Sequence, residues 1–219
     1  LFAFELAKVP AKAGFTYGYK KGTVLISLLN AIILLIAVGA ITVESIHKFT
    51  DPQPVNGEAI SWTAGIGIIV NGLSTWLLMR HKKGDLNAEG AFLHMLADTL
   101  VSVGVLVSGI VISFTGWNVI DPIISLVIVV VILVSTWHLL SQSLRLSLDG
   151  IPENIDIAKV KDDMKSQPHV EDVHHVHVWA ISTTEAALTA HVVVDSNDNM
   201  EEVKHLIREK MAADGITHV

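Results

Sequence analysis

The run Asn87-Ala88-Glu89-Gly90-Ala91-Phe92-Leu93-His94-Met95-Leu96-Ala97-Asp98 continues through Ser102-Val103-Gly104-Val105 to Phe114 with no further charge. From Gly90 to Phe114 it is long enough to cross a bilayer, which takes about 20 apolar residues in a helix. Two ionisable side chains, His94 and Asp98, stand inside it. Four residues on an α-helix turn about 400° and rise about 6 Å, so the imidazole and carboxylate project from one face as neighbours. Together they make half of a metal site. Ionisable groups at membrane depth are expensive and usually face a bundle interior, a partner or an ion pathway. The plainer alternative is a His–Asp hydrogen bond that only ties helices together.

The rest of the composition also points to lipid. With 51% hydrophobic and 17% charged residues in 219 positions, the chain is too apolar for an ordinary soluble domain. The apolar residues cluster into four predicted spans, Thr23 to Ile46, Ile60 to Met79, Ala91 to Phe114 and Val119 to Leu140. None has the flanks of a cleavable signal. There is no Cys, so a transition-metal site here must be built from His, Asp or Glu.

Charge divides the chain. Residues 1–145 carry nine Lys/Arg against eight Asp/Glu, and residues 146–219 carry six against fourteen. We therefore expect a transmembrane domain over 1–145 and an acidic cytoplasmic domain over 146–219. An acidic surface excludes nucleic acid as a partner and suits cations. Lys8, Lys12, Lys20 and Lys21 precede the first complete span, and Arg80, Lys82 and Lys83 follow the second. Basic loops face the cytoplasm, and four spans starting inside return the chain inside. The ends read as interior to a longer protein: Leu1 to Ala7 resembles the last turns of another apolar helix, and Gly215 to Val219 resembles a strand cut short.

Other polar groups within the spans read as structural. Asn30 and Asn71 lie near the middles of their helices, where glue between helices is the simpler role. Glu44 reaches an interface, and Asp121-Pro122 opens a helix, where the Asp complements the helix N-terminus. Gly104 and Ser108 form a small-xxx-small pair for close packing, and Trp117 suits an interface anchor.

The tail reads as helix Asn154 to Gln167, strands Val170 to Ile181 and Ala186 to Val194, helix Met200 to Ala213, then a nascent strand. That order predicts a small α+β sandwich with helices on an antiparallel sheet. In Asp172-Val173-His174-His175-Val176-His177-Val178-Trp179, strand alternation sends His175 and His177 to one face and His174 to the other. His191 falls on the paired strand and His218 near the end. Several imidazoles on adjacent strands can build a zinc site, although exposed strand histidines are ordinary. His169 and His205 read as surface residues.

These motifs carry a resemblance. The 87–105 run, Phe15-Thr16-Tyr17-Gly18-Tyr19, Thr115-Gly116-Trp117 with Asp121-Pro122, and the His-His-Val-His-Val-Trp strand together resemble the cation diffusion facilitators, zinc-efflux branch. The resemblance implies a six-helix membrane bundle joined to a ferredoxin-like cytoplasmic domain, a homodimer in a plasma or inner membrane, and export of Zn2+ in exchange for H+. It implies His94 and Asp98 as half of a tetrahedral transport site, completed by a preceding helix upstream of Leu1. It also implies cytoplasmic metal ligands at His174, His191 and His218, with zinc as regulatory ligand as well as substrate. The family's metal site in the loop between the second and third helices has no His or Asp near Tyr19 to build it.

Two rival classes remain on the sequence. A membrane metallohydrolase needs a general base beside bound water, such as His-Glu-xxx-His, and the chain has none. A membrane-anchored metal sensor or chaperone would use the tail alone, but an anchor has no use for His94 and Asp98.

Overall fold

The structure is a computed structural model. It describes residues 5–6, 8–50, 57–79 and 85–219, without the side chains of 57–63. Most of the apolar 1–7 stretch and the basic cluster Arg80, Lys82 and Lys83 lie outside the described residues.

Four long helices come first: α1 (Lys21–Thr50), α2 (Gly57–Met79), α3 (Leu86–Thr115) and α4 (Ile120–Ser147). Among the described residues, three are long and apolar enough to cross a membrane, Gly22–Thr50, Leu86–Thr115 and Ile120–Ser147, with Ala64–Met79 as a shorter apolar helix. A 30-residue helix is about 45 Å long, more than the hydrocarbon requires. The α3 start is capped by Asp85, which accepts the Asn87 N–H at 2.9 Å. Its end is Gly116 at φ 70°, whose N–H returns to the Ile112 carbonyl.

The chain divides into two compact units, one of Ser27–Ser141 and one of Leu1–Ile26 with Gln142–Val219. In the first unit Ala31, Leu34, Phe92, Leu93 and Leu139 form one core of α1, α3 and α4. Val38, Ala97, Val129 and Ile132 form another. Outward-facing Leu29, Ile36, Ile69, Val127 and Val134 are exposed, as lipid-facing positions should be. Gly104 lets α4 close in, since a Cβ there would stand 2.5 Å from the Ile128 Cδ1. Asp121 does more than complement a helix start. Its carboxylate takes Lys48 Nζ at 3.0 Å and the Ser108 hydroxyl at 2.8 Å, so α1, α3 and α4 are tied at one end. Glu44 joins Lys48 at 3.1 Å within α1.

The second unit is built from α5 (Ile157–Lys165), β1 (Val170–Ala180), β2 (Ala186–Val194), α6 (Met200–Ala213) and β3 (Ile216–His218). Its helices lie on one face of a three-stranded sheet of order β1-β2-β3, and Val160, Met164, Val178, Leu188, Val203, Ile207, Met211 and Ile216 form the core. Two expectations are corrected here. The sheet is mixed: β1 and β2 are antiparallel, but β3 returns through α6 and pairs parallel to β2. And α5 begins at Ile157, not Asn154, because Asp156 caps it by accepting the Ala158 N–H at 2.8 Å.

The beginning of α1 belongs to this unit. Lys21 Nζ reaches the Asp149 carboxylate at 2.6 Å and the Ala180 carbonyl at 3.0 Å, and Lys20 meets Glu185 at 2.6 Å. Contact of these lysines with the sheet unit agrees with the placing of both on one side of the membrane.

Candidate functional site

On α3, Phe92, Leu93 and Ala97 are buried in the α1/α4 cores. Around the helix from them, Thr99 and Ser102 meet α2: Thr99 and Thr75 hydroxyls are 3.3 Å apart, and a Cβ on Gly67 would stand 2.8 Å from Ser102 Oγ. His94 and Asp98 fall between these two packed sides. Their side chains each keep 45% of their surface exposed, and His94 Nε2 stands 3.7 Å from Asp98 Oδ2. That separation is beyond a hydrogen bond. The pair is therefore not consumed in bonding to itself, and both ligand atoms remain open to a third party. Among the described residues no third His, Cys, Asp or Glu joins them.

A second constellation lies on the sheet. His174 and His191 are direct cross-strand partners, but β1 then carries one residue more than β2 before His177 pairs with Thr189. His175 sits in this bulge at φ 51°, in the left-handed region. Strand alternation is broken there, and the expected grouping of His175 with His177 is corrected. His175 turns instead toward His174 and His191, with ring centroids 5.2 and 5.0 Å away. Ligand nitrogens of His174, His175 and His191 all lie within 4.8 Å of one another, and all three are exposed. Nitrogens sharing a tetrahedral zinc at Zn–N of about 2.0–2.1 Å stand roughly 3.3–3.4 Å apart, so the trio is somewhat wider than a closed zinc site and would need to draw together to form one. Asp172 Oδ2 stands 3.4 Å from His174 Nδ1, the kind of carboxylate that orients a ligating imidazole. The Lys165 ammonium beside Asp172 holds that carboxyl below the usual range, so it stays ionised.

His218 is not brought to this trio. It pairs in register with Ala187 on β2, 3.6 Å from Glu185 and edge-on to Tyr17 at 5.6 Å. His177 lines a separate cavity with Asp149 and Trp179. His169 forms its own surface pair with Asp195 at 2.8 Å, steadied by Asn199. His175 is the residue that spacing missed, because a bulge has no fixed signature in one strand's pattern; a doubled histidine opposite a third was the available hint.

Paired imidazole and carboxylate at membrane depth suit an ion, and the class is a multi-pass membrane transporter of cations rather than an enzyme. The chain belongs to the cation efflux family, the zinc-efflux branch of the cation diffusion facilitators: the family profile for the cation efflux transmembrane domain matches residues 1–146, and that for the cation efflux protein cytoplasmic domain matches 152–219. Over its whole length the chain is 32% identical to the cadmium, cobalt and zinc/H(+)-K(+) antiporter of Bacillus subtilis, covering 72% of that protein. It is 35% identical, again over its whole length, to the metal cation efflux system protein CzcD of Cupriavidus metallidurans, covering 70% of it. Over 95% of the chain it is 35% identical to the zinc transporter ZitB of Escherichia coli, covering 68% of that protein.

Proposed function

We propose that this protein exports Zn2+, with Co2+ and Cd2+ as secondary substrates, from the cytosol in exchange for H+, by alternating access in a homodimer. The observation that carries this reading is the His94–Asp98 pair, unbonded to itself and set between two packed faces of α3. The names of the relatives support the substrate class and, for one of them, proton exchange. An imidazole and a carboxylate favour a borderline ion such as Zn2+ over Mg2+ or Ca2+. Both must lose protons to bind metal, so cation and proton compete for the same atoms. With the site open to the cytosol, Zn2+ displaces protons; once the bundle has rocked open to the other side, protons displace Zn2+.

On this reading residues 1–145 are the membrane domain and residues 146–219 the cytoplasmic one. His174 and His191 carry a regulatory zinc site with His175 beside them. His218 enters it only through a shift of β3. Acidic cytoplasmic domains facing one another in a dimer repel, and bound cations relieve that repulsion and bias the membrane domains toward one state.

A second reading, a membrane-anchored metal sensor, draws on the histidine trio. Zinc flux into proteoliposomes holding the full-length protein separates the two. Flux that stops in Asp98→Ala supports transport through this pair. Flux that is absent from the unsubstituted protein, while zinc still binds at the trio, supports the sensor.

A further inference from the structure

Asn30 and Asn71 look alike in the sequence, each an amide mid-helix in an apolar run, but their surroundings differ. Asn30 is packed: a Cβ on Gly90 would stand 2.4 Å from its Nδ2, so it fills the notch that this glycine leaves between α1 and α3. Asn71 lies on α2 between two residues that meet α3. Gly67 abuts Ser102, and Thr75 meets Thr99, on antiparallel neighbours. One turn along α2 from Gly67 is Asn71, and one turn back along α3 from Ser102 is Asp98. Each step of four residues moves about 6 Å along its axis, so Asn71 stands at the level of Asp98.

Neither side chain has a hydrogen-bond partner among the described residues. Among the described residues the Asn71 side-chain amide makes no hydrogen bond, and the Asp98 carboxylate has only His94, at 3.7 Å. Ser102 and Thr75, the hydroxyls nearest in register, are already spent on the backbone carbonyls of Asp98 and Asn71. An amide and a carboxylate at membrane depth each carry a desolvation penalty until bonded. Their chemistry is complementary, since the amide offers two N–H donors and an ionised carboxylate only acceptors.

We infer that Asn71 is a positioning residue of the cation site: in the cation-binding conformation its amide, unbonded in this structure, donates to one oxygen of Asp98 and aims the other at the ion. This rests on the transport reading of His94 and Asp98. A carboxylate fixed in this way loses less rotamer freedom on binding, so its removal weakens capture more than turnover.

The test uses full-length protein in proteoliposomes with Zn2+ as probe, comparing Asn71→Ala, Asn71→Gln, Asn71→Leu, Asn30→Ala and Asp98→Ala. Asn71→Ala raises KM for zinc about tenfold with a smaller change in maximal rate, and Asn71→Gln, which keeps the donors, recovers part of that loss. Should the alanine variant fail to reach the membrane, Asn71→Leu keeps the volume without the donors and must show the same raised KM. Asn30→Ala lowers the melting temperature and leaves KM alone. An unchanged KM in Asn71→Ala or Asn71→Leu, with a lowered melting temperature like that of Asn30→Ala, overturns the inference and makes Asn71 a helix fastener. If flux survives in Asp98→Ala, the transport site itself is misplaced and the inference falls with it.

Discussion

His175 packs against His191 across two strands, with ring centroids 5.0 Å apart, although strand alternation assigns it to the opposite face from His174, the residue paired with His191. A left-handed backbone at φ 51° makes this possible. Holding a non-glycine residue in that region costs roughly 1–3 kcal/mol, and such strain concentrates at functional positions. The bulge turns two adjacent imidazoles onto one partner.

If those three rings bind one ion, His175→Ala lowers zinc affinity of the cytoplasmic unit at least tenfold, about 1.4 kcal/mol, whereas His177→Ala leaves it unchanged. Calorimetric titration of the full-length protein carrying Asp98→Ala, which silences the membrane site, checks this. Equal effects of the two substitutions would remove the bulge from metal binding.

Helix approach in the membrane unit depends on particular glycines. Gly104→Ala must push into Ile128 Cδ1 at 2.5 Å and Ile124 Cγ2 at 3.0 Å, and we expect a loss of about 1–3 kcal/mol. Gly39→Ala meets nothing within 4 Å and is tolerated. Gly18→Ala is expected to be damaging for a different reason, since φ is 65° and the Val9 carbonyl would lie 2.5 Å from the new Cβ. Melting temperatures in detergent check all three.

The His169–Asp195 pair gives the cytoplasmic unit a pH signature. The hydrogen bond to Asp195 raises the His169 pKa, and His169 in turn depresses that of Asp195. A raised histidine adds stability that is full below about pH 6.5 and is lost as pH rises through the raised value; a depressed carboxyl adds stability above about pH 4 that is lost in more acid solution. The pair thus stabilises most between roughly pH 4 and 6.5. Both groups are exposed, so the effect is small, about 1–3 °C in melting temperature. His169→Ala should lower the melting temperature at pH 5.5 and leave it unchanged at pH 8.5. A difference that grows with pH would contradict this.

Much of this is legible in the sequence alone. Long apolar runs mark spans because lipid hydrates no backbone, and His94 and Asp98 share a face because four residues make little more than one turn. The boundaries of β2 and α6 follow from local patterning. What could not be read depends on partners distant in sequence. Asn30 and Asn71 are the same letter in similar runs, separated only by Gly90 lying against one of them. Asp121 looked like a helix start, but its ionic partner Lys48 is 73 residues away. The parallel pairing of β3 and the turn of His175 are both set by β2, not by the residues themselves. His218 shows the same limit from the other side, since spacing said nothing of its distance from His191.

On the proposed function, His94 and Asp98 pass a divalent cation across the membrane by trading it for protons. The most direct test of this exchange is zinc-driven proton movement, followed with a pH-sensitive dye trapped in proteoliposomes that contain the full-length protein, with Asp98→Ala alongside. Added Zn2+ is expected to drive proton movement in the opposite direction, and both ion movements are expected to vanish in Asp98→Ala. Zinc flux that persists undiminished in that variant, or that moves with no proton counterflow, would contradict the proposed exchange.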